Sequence, residues 1–479
     1  MKNTGPLVLV LVALPACNSP SGSPGADTNA DADADADAGT APTGATSADS
    51  TTDADPTTGQ PPTTATTTTT GGDETGPTYY RDAKPIFDRK CVMCHQPENI
   101  APFSLQTYDE VSTFAQIIVP AITNRIMPPW PPGADCTSYK HDRSLTDEEL
   151  ATLLGWVDAG AHEGDPADAP APPEPEPPIA YDIELGIPEP YTPSLDVNDD
   201  YRCFLLDWPK DQPSYVTGLT IEPGDRQIVH HVIAYLVPPD EVPLYQALDD
   251  GDPGPGYPCF GGPSGEATPK AQWLGAWVPG SANGELPEGT GILVKPGSKI
   301  ALQMHYHPIG VELSDQSTLK ARTAEDVERI AFLLPIANPG WPINTPPMLI
   351  PPNAPDTLHA FAMNIDTIMG WVYAEEGLYT LPMLLHSASL HMHTHASSGK
   401  LGKLGVDSAC LLDVPRWDFN WQGIYELEEP VPISPTLDQI YLECHYDNTG
   451  NENAILWGEG TEDEMCLGVF YVSTPKIFP

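Results

Sequence analysis

The sequence predicts a multidomain chain in which one small all-α domain is followed by two all-β sandwich domains. Three observations carry that prediction. An acidic, low-complexity stretch gives way near residue 78 to helix-patterned sequence, and a Pro-rich linker closes that block near residue 180. Beyond it the chain runs as short β-rich segments separated by Pro- and Gly-rich turns. At 479 residues there is room for several ordinary domains.

The N-terminus, "MKNTGPLVLVLVALPAC", has a lysine, a short apolar run from Leu7 to Leu14 and a small residue before Cys17. This pattern is an export signal too short to span a bilayer. "LPAC" resembles a bacterial lipoprotein box, although Pro15 is unusual in one. The resemblance implies a signal peptide over 1–17, lipidation of Cys17, and an exported chain anchored at the bacterial membrane, facing periplasm or cell surface. Residues 18–77 are Ala, Asp, Gly, Pro, Ser and Thr with almost no apolar side chains, so burial cannot offset their ordering entropy and a flexible tether is expected. With 67 acidic against 21 basic residues the net charge is −46, which argues against nucleic acid and leaves the lipid as the expected membrane contact.

The helical block, 78–166, carries "DRKCVMCHQPENIAPFSL". Cys91, Cys94 and His95 form C-x-x-C-H, in which two thiols one helical turn apart can add to the two vinyl groups of haem while the histidine lies against the iron. A zinc or redox C-x-x-C does not need a histidine at that position, and no second C-x-x-C follows. The expectation is a cytochrome c-like domain with covalent haem. Met127, in the Pro-stiffened "NRIMPPWPPG", is the expected sixth ligand; packing in the core is its alternative role, and His141 and His162 are weaker ligand candidates. "SLTDEELATLLGWVDAGA" reads as an amphipathic helix with Thr146 as N-cap and Glu149 completing a capping box. Residues 167–180 then form the Pro-rich linker.

An exported chain with nine cysteines is expected to form disulfides. With Cys17, Cys91 and Cys94 assigned elsewhere, Cys136, Cys203, Cys259, Cys410, Cys444 and Cys466 are left, and spacing alone does not rank their pairings.

Ten of the thirteen histidines lie beyond residue 180, and seven of these are clustered: His230 with His231, His305 with His307, and His391, His393 and His395. Clustered histidines without matching cysteine pairs favour copper over zinc. In a strand, positions 391, 393 and 395 would share one face, whereas the adjacent His230 and His231 would face opposite ways unless a bulge or twist turned them together.

"QIVHHVIAYL", "ALQMHYHP", "LHMHTHASSGK" and "LECHYDNTG...GEGTEDEMC" occur in the order and approximate spacing of the copper type II, ascorbate-dependent monooxygenases, the family of peptidylglycine alpha-hydroxylating monooxygenase and dopamine beta-monooxygenase. The resemblance covers about residues 181–479. It implies jelly-roll-like domains over 181–340 and 341–479 whose two copper sites face each other across a solvent-filled cleft. By the same resemblance His230, His231 and His305 would hold an electron-transfer copper. His393, His395 and Met465 would hold the oxygen-activating copper and form the catalytic set, with Cys444 and Cys466 paired beside it. A thioether suits Cu(I), the state that binds oxygen.

The peptide-amidating member holds its substrate carboxylate with an Arg before "HTH" and an Asn and a Tyr after "EMC". His391, Leu467 and Val469 stand there, so a peptidylglycine substrate is not expected. His391 is left as a substrate contact, a spare copper ligand or a solvated group. The expected function is a monooxygenase that hydroxylates an activated C–H bond of an unidentified small molecule or peptide with O2. Its electrons would come from ascorbate or a redox partner protein, with the haem feeding the His230, His231 and His305 copper. The alternative is an electron-transfer or copper-binding lipoprotein without hydroxylase chemistry.

Overall fold

The computed structural model describes residues 76–97, 101–171, 179–264, 271–278, 284–367, 381–458, 460 and 462–476. The expected signal peptide, Cys17, most of the tether and the centre of the Pro-rich linker lie outside these residues. Among those described, no helix is long and apolar enough to cross a membrane.

The N-terminal block is helical because its apolar residues recur at helical spacing. A π-helical turn, Tyr79–Ala83, leads into α1 (Lys84–Lys90), followed by α2 (Tyr108–Thr123) and α3 (Asp147–Asp158). Val111, Ala115, Ile118 and Ile122 form the buried face of α2 and meet Leu153 and Trp156 of α3 in a small core with Tyr79 and Phe87. Both longer helices begin with a complete capping box, Thr107 with Glu110 and Thr146 with Glu149. Each box satisfies backbone N–H groups that have no partner inside the helix.

The rest is almost entirely β. In chain order the strands are β1 (Ile183–Gly186), β2 (Asp200–Asp207), β3 (Ser214–Glu222), β4 (Val229–Val237), β5 (Tyr257–Pro258), β6 (Gln272–Trp277), β7 (Thr290–Val294), β8 (Lys299–Tyr306), β9 (Thr318–Ala324), β10 (Arg329–Ile336), β11 (Thr357–Asn364), β12 (Met383–His391), β13 (Ala396–Leu404), β14 (Ala409–Val414), β15 (Tyr425–Ile433), β16 (Gln439–Tyr446) and β17 (Leu467–Pro475). The helix α4 (Val242–Gly251) interrupts the expected all-β pattern and contributes Tyr245 to an apolar cluster with Tyr235 and Tyr257.

The strands form sheets of five, β5-β2-β8-β4-β6, of four, β11-β16-β13-β14, and of eight, β1-β9-β3-β7-β10-β17-β12-β15. The eight-stranded sheet crosses the expected boundary at residue 340, because β10 pairs antiparallel with β17 along its whole length, from Arg329 opposite Pro475 to Ile336 opposite Gly468. Side chains alternate across a strand, so this pair serves two cores. Ala331, Leu333, Val469 and Tyr471 join the core beneath the five-stranded sheet. Ile330, Phe332, Leu334, Phe470 and Val472 join the core shared with the four-stranded sheet. Burial on both faces explains why "RIAFLL" and "VFYV" are continuous apolar runs rather than alternating ones.

Three disulfides join Cys136 to Cys410, Cys203 to Cys259, and Cys444 to Cys466. The last is the pairing that the resemblance implied. The first ties the segment after α2 to β14.

His386, inside β12, is buried and hydrogen-bonded to Ser473 Oγ at 2.7 Å, while the Arg329 Nε–H donates to the same oxygen at 2.8 Å. Burial, reinforced by the Arg329 charge, pushes its pKa down from 6.5 to about 4. Between those values the unfolded chain binds a proton that the folded chain refuses, so stability falls as pH drops through that window. We predict that His386→Gln removes about 3 kcal/mol of the destabilisation accumulated between pH ~6.5 and ~4, read from urea midpoints of the metal-free protein against pH. An unchanged pH slope would contradict the assignment.

Candidate metal centre

His230 and His231 open β4, and His305 lies near the end of β8, its neighbour in the five-stranded sheet. The ladder pairs His231 with His305, and its register shifts between Val229 and His231. That irregularity turns two adjacent histidines toward one point. The ligand atoms of the three imidazoles lie within 4.8 Å of one another. His231 Nδ1 is 3.2 Å from His230 Nδ1 and 3.3 Å from His305 Nδ1. Nitrogens at this spacing match tetrahedral bonds of about 2.0 Å to a metal ion.

The surroundings keep His230 and His231 neutral and orient His305. Burial, then the neighbouring imidazoles, holds His230 at about 4 and His231 well below its ordinary value, so each lone pair is available to a metal. Asp199 Oδ1 accepts a hydrogen bond from His305 Nε2–H at 2.8 Å, which directs Nδ1 into the cluster. Tyr201 stacks on the His305 ring with centroids 4.1 Å apart. His307 is exposed and approaches the same carboxylate at 3.5 Å.

The second histidine group departs from the sequence reading. β12 ends at His391, and His393 and His395 sit in the turn before β13, so the three side chains do not share a strand face. The physical reason is Glu464. Its carboxylate accepts the His393 N–H at 2.8 Å, the His395 N–H at 2.6 Å and the Met465 N–H at 3.3 Å, amides that a continued ladder would otherwise use. Burial raises the Glu464 pKa to about 7 against these same hydrogen bonds. His393, His395 and Met465 are thus gathered at the backbone by one carboxylate.

Further contacts fix this turn. The His393 Nδ1–H donates to the Asp463 carbonyl at 3.0 Å, leaving Nε2 as its ligand atom, and burial holds its pKa at about 3. The Trp417 indole N–H donates to the His393 carbonyl at 3.0 Å. The Tyr446 hydroxyl donates to the Met465 carbonyl at 2.7 Å, and the Cys444–Cys466 disulfide lies immediately beside it.

The two groups meet. The His391 ring centroid is 6.3 Å from that of His231 and 5.1 Å from that of His393, and its Nδ1 is 2.6 Å from Gln422 Oε1. Phe419 stacks on His230 at 5.2 Å and lies edge-on to His393 at 6.0 Å. Where the resemblance implied a solvent-filled cleft, the partly buried His391 and Phe419 stand between the two histidine groups. Leu467 and Val469 pack against the N-terminal core and offer no carboxylate clamp.

In the helical block the Cys94 and His95 N–H groups both donate to the Cys91 carbonyl, at 3.1 and 2.9 Å, so the cysteines are one turn apart, and both thiols are free. His95 Nδ1–H donates to the Phe103 carbonyl at 3.1 Å, which leaves Nε2 for a metal. This arrangement fits a covalently held haem. Met127 is half-buried, two residues beyond the left-handed Arg125.

Residues 342–474 match the family model for the copper type II ascorbate-dependent monooxygenase, C-terminal domain. Among curated proteins, DBH-like monooxygenase protein 2 of Mus musculus is 24% identical over 320 residues, covering 63% of this chain and 47% of that protein. The chain therefore spans about half of that relative's length. Among solved structures, the crystal structure of the infectious bursal disease virus VP2 subviral particle covers 63% of this chain and 74% of that one, at 10% identity and a TM-score of 0.17. That score carries no argument. Within the matched residues β12 ends at His391, the following turn carries His393 and His395, and Met465 lies two residues before β17.

Sequence reasoning missed Asp199, Phe419, Gln422, Glu464 and the N–H role of Trp417. Trp417 and Tyr425 pack in the core, whereas Phe419 between them stacks on His230. Asp199 gives a test. We predict that Asp199→Asn lowers the metal affinity of the three-histidine cluster about 10- to 100-fold in a competition titration. Unchanged affinity would show that the carboxylate does not tune His305.

Proposed function

We propose that the chain is an exported, lipid-anchored copper monooxygenase that hydroxylates an activated C–H bond with O2 and draws its electrons through an attached c-type haem. The observation that carries this reading is the approach of His391, at the end of β12, to His231 of the three-histidine cluster, in a chain whose residues 342–474 match the monooxygenase family model. Copper at His230, His231 and His305, and at His393, His395 and Met465, would supply one-electron storage and oxygen activation, one oxygen atom going to product and the other to water. Haem would be held by Cys91, Cys94, His95 and Met127 and would supply one-electron storage, with ascorbate or a redox partner as the source of electrons.

The protein's own part is orientation and exclusion of water. Asp199 and Asp463 set which ring nitrogen of His305 and His393 points inward. Glu464 holds the turn and the thioether strand in one register. His391, steadied by Gln422, and Phe419 seal the space between the two sites. Since His391, Leu467 and Val469 occupy the clamp positions, the substrate class excludes peptides held by a terminal carboxylate.

A second reading, an electron-transfer or copper-binding lipoprotein, draws on the same filled gap. Oxygen consumption stimulated by a candidate substrate, with one 18O atom from 18O2 in its hydroxylated product, is the outcome expected of the monooxygenase. Copper-replete protein whose haem and copper cycle without product from any C–H donor would favour the second reading.

A further inference from the structure

The helical block is built onto the C-terminal sandwich through the segment that follows α2, which also carries Met127. The segment after α2 is fixed to that sandwich by the Cys136–Cys410 disulfide and by a short antiparallel pairing. In it the Lys140 N–H donates to the Glu426 carbonyl at 2.8 Å and the Glu428 N–H to the Ser138 carbonyl at 3.0 Å. Two lines of contact then run toward the His393 turn. The Arg416 guanidinium donates to the carbonyls of Asn124 at 3.2 Å and Arg125 at 2.7 Å, at the base of the loop that presents Met127. The next residue, Trp417, donates its indole N–H to the His393 carbonyl at 3.0 Å. On the other line, Arg143 lies over the Trp130 ring at 5.7 Å. Trp130 meets Tyr425 edge-on at 5.3 Å, and Tyr425 pairs with Ala388 in β12, the strand that ends at His391.

We propose that the helical block is an electron-input module fixed to the C-terminal sandwich, and that Arg416 and Trp417 couple it to the His393, His395 and Met465 site. On this view the C-terminal site, not the three-histidine site expected from sequence, receives electrons directly from the haem. The inference rests on the haem and copper assignments above. In the step itself one electron leaves ferrous haem, which becomes ferric, and reduces Cu(II) to Cu(I) at the C-terminal site; no atom or proton is transferred. Trp417 is a positioning residue here, since it holds the backbone of a ligand and is not itself oxidised.

The test uses the full chain matured in a host that attaches haem, with haem measured by absorbance and copper by elemental analysis before any kinetics. After anaerobic one-electron reduction of the haem in the cupric protein, the decay of the ferrous band is followed. The expected result is a fast phase that survives in His230→Ala, which vacates the three-histidine site, and disappears in His393→Ala. Arg416→Ala and Trp417→Phe should slow that phase tenfold or more at unchanged copper content and unchanged cupric spectrum, with Arg416→Lys recovering most of it. A fast phase lost in His230→Ala and kept in His393→Ala would overturn the proposal, as would full speed in both Arg416→Ala and Trp417→Phe. Protein without haem or without copper would instead bring down the assignments beneath it, a failure that the metal and haem analyses separate from a wrong route.

Discussion

The pairing of β10 with β17 is the constraint on which the rest of the molecule depends. It joins a strand from the N-terminal half to the last strand of the C-terminal half, and each strand feeds alternate side chains into the two large cores. Neither half can bury its apolar residues completely without the other, so the two sandwiches behave as one packed body. The chemistry follows from this joint. β12 pairs with β17, which places His391 opposite Leu467, directly after Cys466, and brings the His393 turn and Met465 to the same end of the sheet. From that end His391 reaches the imidazoles of β4 and β8.

Within this frame the two histidine groups are made by different devices. The first is a sheet device, in which neighbouring strands and one register shift converge three rings and burial keeps His230 and His231 unprotonated. The second is a buried carboxylate that ends a strand. Glu464 collects amides from both sides of the site, and a buried carboxylate with several N–H donors holds geometry well while costing more if its donors are lost. The His391 and Phe419 rings then stand between the two groups.

Much of this was legible in the sequence, and the reasons differ by element. The helices were readable because Thr146 and Glu149 form a local capping signal and their apolar spacing is regular. The need for a bulge at His230 and His231 followed from strand alternation alone. The shared sheet was not legible, since a continuous apolar run such as "RIAFLL" states that both faces are buried and not which cores they meet. The turn at His393 was misread as strand because its cause, Glu464, lies far away in the chain and looks like an exposed acid beside Met465. Asp199 and Gln422 escaped for the same reason: a lone polar residue acquires a role only when the fold supplies its partner.

Metal content of the full, haem-bearing chain tests the central claim most directly. The account predicts one copper for each of two sites per haem, with one lost in His230→Ala while the other is retained, and the reverse in Met465→Leu. Haem with no copper, or with zinc in its place, would contradict it and would mean that the β half keeps the ligand geometry without the chemistry.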